Sequence, residues 1–166
     1  MATILFGGNE VNTSGSLPEV GSTAPDFSLT NTDLKDISLK DFEGKKIVLN
    51  IFPSLGTPVC ASSIRKFNEK AASMDNTVVL CISKDLPFAH KSFCETEGIE
   101  NVVPAAEYKS TSFEDAYKVT IQEGPFTGLF SRAVVVIDEH GKVAYTEQVK
   151  EVGDEPDYDK ALAALA

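Results

Sequence analysis

Cysteine is scarce in this chain, three among 166 residues, and no two of the three form a C-x-x-C pair. The stretch from Met1 to Gly8 has no basic side chain, and its apolar run, Ile4-Leu5-Phe6, is too short for a secretory core. An odd cysteine count behind such a start argues against a disulfide-stapled extracellular fold and sets the expectation of a reducing cytoplasm. Basic residues are in deficit as well: 15 Lys and Arg against 25 Asp and Glu leave a net charge of -10. That charge repels phosphate backbones and anionic lipid, so neither a nucleic acid nor a membrane surface is an expected partner. No apolar run approaches the length of a membrane span. Histidine is rarer still, with His90 and His140 alone. His90 and Cys94 share a helix face at i,i+4, but no second ligand pair stands at suitable spacing, so no metal is expected.

What is present describes a globular protein. Apolar residues make up 42% of the chain, and the length allows a sizeable core, which predicts one domain over residues 1–166. Thr3 to Phe6 and the stretch after Gly7-Gly8-Asn9 predict a hairpin, joined by a loop rich in Gly, Ser and Pro, so that residues 1–20 form an extension ahead of the body. Asp26 to Leu29 alternates like a strand, Ser38 to Phe42 reads as a turn of helix, and Lys46 to Phe52 is a dense β-favouring run. From Cys60 the apolar positions Ile64, Phe67, Ala71 and Met74 step by three and four, predicting a helix with one buried face. Thr77 to Ser83 predicts a strand. Leu86 to Glu97 predicts a helix capped by Asp85, with Pro87 in its first turn and Gly98 at its end. Asn101 to Val103 suggests a short strand and Ser112 to Val119 a short helix. Arg132 to Asp138 and Lys142 to Thr146 read as an antiparallel pair across a tight connection, and Pro156 as the opening of a C-terminal helix. This order predicts an α/β fold, a mixed sheet with helices on both faces as in the thioredoxin-like architecture.

Cys60 is the residue on which function turns. It follows Pro53-Ser54-Leu55-Gly56-Thr57-Pro58-Val59, between a strand-like run and a helical pattern, and so falls near the first turn of a helix. Unpaired N–H groups and the positive end of the helix dipole favour an anionic sulfur there, and such a site is expected to be partly exposed. Arg132 precedes five apolar residues, Ala133 to Ile137, and is the natural cation to reach Cys60; the alternative is a surface arginine ending a strand. Thr57 either donates its hydroxyl to the sulfur or a bound oxygen, or caps the helix. Cys94 lies on a different helix from Cys60, so pairing the two requires local unwinding. Cys81, within Val79-Leu80-Cys81-Ile82, reads as core. Phe126, Leu129 and Phe130 form either a tucked-in loop or a hydrophobic wall or subunit contact.

The pattern Pro53-x-x-x-Thr57-x-x-Cys60, with Arg132 downstream, resembles the active-site pattern of peroxiredoxins. Thr57-Pro58-Val59-Cys60-Ala61, Asp85-Leu86-Pro87-Phe88-Ala89, Phe93-Cys94 and Glu155-Pro156-Asp157-Tyr158 narrow the resemblance to the bacterial thiol peroxidases, an atypical two-cysteine subfamily. The resemblance implies that Cys60 is the peroxidatic cysteine and Cys94 the resolving one. It implies further that Pro53 shields the thiolate pocket, that Thr57 hydrogen-bonds sulfur and peroxide, and that Arg132 favours the thiolate and polarises the O–O bond. A hydroperoxide substrate, a thioredoxin or similar dithiol reductant, a homodimer and no cofactor are implied with it. Two positions depart from the pattern: Gly56 stands where an acidic residue is common, and His90 where glutamine is common. Without peroxide chemistry, Cys60 would belong to a disulfide-exchange or holdase module, or to a binding domain with passive cysteines.

Overall fold

The computed structural model describes residues 2–70 and 74–165. Its first element is the predicted hairpin, in which Thr3–Phe6 (β1) pairs antiparallel with Asn9–Asn12 (β2). Gly7 and Gly8 make the connection at φ 56° and 85°, the left-handed region that a two-residue hairpin turn needs and that glycine enters without steric cost. Ile4 and Val11 face each other and bury against Ile121 and Val152, which ties the extension to the body.

The body is built on one sheet. Two short strands, Leu29–Thr30 (β3) and Asp36–Ile37 (β4), and a 3₁₀ turn at Leu39–Phe42 lead into Lys46–Ile51 (β5). Then follow Pro58–Lys70 (α1), Thr77–Ser83 (β6), Pro87–Glu97 (α2), Val103–Ala106 (β7), Ser112–Tyr117 (α3), Ala133–Ile137 (β8), Val143–Gln148 (β9) and Tyr158–Ala163 (α4). The strands lie in the order β4-β3-β7-β6-β5-β8-β9, with β5, β6 and β7 parallel and β8 antiparallel to β5. The period of two decides which side each residue serves. Ile47, Leu49 and Ile51 join a core with Phe27, Phe113 and Tyr117 on the α3 side. Val48 and Phe52 join Ile64 and Phe67 of α1 and Tyr158 and Ala161 of α4 on the other. Helices on both faces of a mixed sheet is the fold the element order predicted.

Differences from expectation are local and have causes. The first body strand is shorter than Asp26 to Leu29 suggested, because Asp26 spends its Oδ1 on the N–H groups of Phe27 and Leu39. The α1 helix starts at Pro58, which puts Cys60 in its first turn as expected; of its predicted apolar positions, Ala71 lies outside the described residues. Lys118 turns left-handed at φ 57° and ends α3 before Val119. Pro156 does not open α4, since Asp157 caps it by accepting the Lys160 N–H at 3.1 Å. Asp85 does not cap α2. Leu86 occupies that position without a side-chain bond, and the Asp85 carboxylate is engaged elsewhere.

Register places the functional end of the molecule. The parallel strands β5 and β6 both point their C-terminal ends to one edge, and the antiparallel pairing Ile51↔Ala133 brings the start of β8 to that same edge. Phe52 and Arg132 are the residues that follow β5 and precede β8 at this edge. Leu49 is fully buried between Leu80 and Val135, its partners on the two flanking strands. Leu49→Ala is therefore expected to lower the free energy of unfolding by about 2–5 kcal/mol in a urea titration. Val20→Ala, at a residue 61% exposed, should change it by less than about 0.5 kcal/mol.

Candidate active site

The segment after β5 stays inside for two residues, Phe52 and Pro53, before it surfaces as Ser54-Leu55-Gly56-Thr57. Thr57 turns the chain into α1: its N–H and its hydroxyl both donate to the Ser54 carbonyl at 3.2 Å, and its own carbonyl accepts the Ala61 N–H. Pro58 then takes the first helical position, where a missing N–H costs nothing. Cys60 is the third residue of the helix and is 0% exposed. This corrects the expectation of a partly exposed thiol. The first turn of α1 lies on the sheet face made by Val48, Phe52 and Val134 instead of standing at its rim.

Arg132 is 2% exposed, and its guanidinium has two defined contacts: Nε donates to the Val152 carbonyl at 2.9 Å, and Nη1 donates to Cys60 Sγ at 3.3 Å. Its backbone is fixed by β9, because the Arg132 carbonyl accepts from Val149 N–H and Gln148 Nε2. No carboxylate lies within ion-pair distance of it among the described residues. A buried guanidinium without a carboxylate is costly unless another anion faces it. The side-chain atom that its Nη1 meets is the Cys60 sulfur. Beneath it, Ser63 Oγ donates to the Cys60 carbonyl at 2.9 Å and accepts from Asn50 Nδ2 at 3.3 Å, fixing the helix turn to β5. On the α4 side, burial raises the Tyr158 hydroxyl well above the ordinary tyrosine range, reinforced by its bond to Glu155 and opposed by the Arg132 charge.

Cys94 is not part of this contact. It sits in the last turn of α2, half-buried against the same apolar cluster, and both it and Cys60 are free thiols. Burial holds the Cys94 thiol above its ordinary range, so it rests protonated. Gly98 ends the helix just beyond it in the left-handed region at φ 65°, its N–H donating to the Cys94 carbonyl. Cys81 is core, as predicted, and burial raises its thiol strongly. Phe126 stacks edge-on against Phe6, while Phe130 lies in the interior beside Phe113, so the apolar loop is tucked in. Among the described residues no three metal-ligating side chains converge.

Asp85, expected only to cap α2, instead gathers donors from the Cys60 loop and the end of β6. Its Oδ1 accepts Ser54 Oγ at 2.9 Å, and its Oδ2 accepts the Leu55 N–H at 2.9 Å and Ser83 Oγ at 2.6 Å. The available signal was the abrupt change from an apolar strand to Ser83-Lys84-Asp85 at the functional edge of the sheet. His90 closes the same network, with Nε2 at 3.1 Å from Ser83 Oγ and its ring edge-on to Phe52.

Comparison with known proteins gives concordant matches. The Redoxin family model matches residues 19–162. A thiol peroxidase of Corynebacterium glutamicum is 58% identical over 165 residues, 99% of each chain. One from Mycobacterium tuberculosis is 57% identical over the same span. Among solved structures, a peroxiredoxin-like protein from Aquifex aeolicus superposes with a TM-score of 0.91 at 38% identity, covering 97% of this chain and 94% of that one. A thiol peroxidase from Chromobacterium violaceum shares the fold, with a TM-score of 0.86 at 21% identity over 97% and 93% of the two chains.

His90 is 1% exposed, and burial, only partly opposed by Asp85, lowers its pKa from 6.5 to about 4. The folded protein therefore binds fewer protons than the unfolded chain between those values. Its contribution to stability is complete above pH 6.5 and is lost as pH falls toward 4, by about 3 kcal/mol in all. Chemical denaturation at a series of pH values should show this loss, and His90→Gln should flatten that part of the profile. An unchanged profile in the variant would assign the acid sensitivity to other groups.

Proposed function

We propose that this chain, which belongs to the Redoxin family and within it to the thiol peroxidases, reduces hydroperoxides through a Cys60 sulfenic acid that Cys94 resolves. The observation that carries the assignment of the reacting sulfur is the buried Arg132 guanidinium, donating to Cys60 Sγ at 3.3 Å with no carboxylate in range among the described residues. Paired in this way, the sulfur is held as the thiolate, the form that attacks.

The Cys60 thiolate attacks one oxygen of the peroxide in line with the O–O bond. The S–O bond forms as the O–O bond breaks, two electrons pass from sulfur to oxygen, and the departing alkoxide takes up a proton as alcohol or, from hydrogen peroxide, as water. Arg132 and the unpaired N–H groups of the first turn of α1 stabilise the charge growing on the leaving oxygen. Thr57, three residues ahead of Cys60, turns its hydroxyl from the Ser54 carbonyl to hold the substrate oxygen. Pro53, buried where the loop leaves the sheet, keeps water from the sulfur. Cys94 then condenses with the sulfenic acid: an S–S bond forms, the S–O bond breaks, and water leaves. A dithiol of the thioredoxin type reduces the disulfide by exchange. The reaction is run by one domain over the whole chain, as a homodimer, in the cytoplasm. No helix among the described residues is long and apolar enough to cross a membrane.

Thiol titration tests the cycle directly. Untreated protein should present three thiols, matching its three free cysteines, and protein given one equivalent of hydroperoxide should keep Cys81 alone. Cys60→Ser should lose no thiol on the same treatment, and Cys94→Ser should trap sulfenic acid after a single rapid oxidation. Unchanged thiols in the wild type would reject the peroxidase assignment, and a Cys81→Ser variant that stalls like Cys94→Ser would move the resolving role.

A further inference from the structure

Cys60 and Cys94 are both free, one in the first turn of α1 and the other in the last turn of α2. An S–S bond needs the two sulfurs about 2.05 Å apart, and in the resting structure they are unbonded, on different helices, with Cys60 Sγ engaged by Arg132. What holds the two helices in their resting arrangement is therefore part of the reaction. Resting on the proposed function above, we infer that Asp85 is a positioning residue that clamps the Cys60 loop to the base of α2, aligning Cys60 for peroxide and yielding when Cys94 must reach it.

Three donors from two segments converge on this one carboxylate. From the Cys60 loop come Ser54 Oγ and the Leu55 N–H, both at 2.9 Å, and from the end of β6 comes Ser83 Oγ at 2.6 Å. Bonds to a carboxylate are stronger than neutral ones, so this cluster outweighs the other polar contacts of the loop. Those others are short-range: Gly56 N–H to Ser54 Oγ, and Thr57 to the Ser54 carbonyl.

The clamp continues into α2 through one hydroxyl. Ser83 Oγ has a single proton and gives it to Asp85, so toward its other neighbours it is an acceptor. It takes the Asp85 N–H at 3.1 Å and, also at 3.1 Å, the Nε2–H of His90, which sets the histidine tautomer. His90 lies one helical turn ahead of Cys94, and its ring meets Phe52, a core residue just before the Cys60 loop. Loop, strand end and helix are thus joined in the order Ser54 and Leu55, Asp85, Ser83, His90. Beside the clamp an open surface groove is lined by Leu55 and Gly56 of the loop and by Ala89 and Phe93 of α2.

The role separates two rates that a loss of folding would lower together. Sulfenic acid formation is measured by stopped flow in the Cys94→Ser background, and disulfide formation by rapid quench with both cysteines present, in wild type, Asp85→Asn and Ser54→Ala. Asp85→Asn should slow the first step about threefold or more and speed the second by a similar factor, because charged acceptance at two oxygens is lost. Ser54→Ala removes one loop bond and keeps the carboxylate on Leu55, so it should shift both rates in the same senses by a smaller factor. At excess peroxide the variants should accumulate less Cys60 sulfinic acid than wild type. Both rates falling together, or neither changing in either variant, overturns the clamp. A wild type that forms no disulfide overturns the peroxidase assignment instead and the clamp with it.

Discussion

A guanidinium sealed from water needs a polar partner, and the side-chain atom that Arg132 aims at is a sulfur. Nη1 reaches Cys60 Sγ at 3.3 Å, Nε is spent on the Val152 carbonyl, and the side chain is 2% exposed. Much of the fold converges on that contact. The antiparallel register of β8 on β5 carries Arg132 to the C-terminal edge of the parallel strands. The bonds from Val149 and Gln148 to its carbonyl hold it there, and the N-terminal hairpin packs on Val152, whose carbonyl orients the guanidinium. The extension, remote in sequence, is in this way a support for the site.

How much of this was legible in the chain depended on whether the relevant force was local. Lys46 to Phe52 and Arg132 to Asp138 declare themselves by composition, and α1 by its apolar step of three and four, so the fold and the position of Cys60 at a helix start follow from near neighbours in sequence. The burial of Cys60 does not, because it depends on how α1 docks against Val48, Phe52 and Val134. The capping role read for Asp85 failed for the same reason: a carboxylate beside a helix start is a good local cap, but Ser54 and Leu55, roughly thirty residues earlier, offer it better-placed donors. The resemblance of Pro53, Thr57, Cys60 and Arg132 to a known pattern supplied what spacing alone left open, that one arginine among several basic residues is paired with the sulfur.

The two cysteines are held differently. Cys60 is held by packing, by Ser63 and Asn50 beneath its carbonyl, and by Arg132. Cys94 lies half-buried at a helix end where the backbone already leaves the helix at Gly98. Helix ends open more cheaply than cores. Burial raises the Cys94 thiol and favours its protonated form. His90 adds a histidine at the junction of the two parts, buried and neutral above about pH 4.

The thiolate proposed at Cys60 is read most directly as its ultraviolet absorbance at neutral pH, taken as wild type minus Cys60→Ser. The same difference is then taken in an Arg132→Met background, where the guanidinium is replaced by an apolar side chain that still fills the site. A thiolate signal in the wild type that disappears with Arg132→Met is the predicted result. No signal in the wild type, or an equal signal in both backgrounds, would contradict the pairing of this buried cation with sulfur.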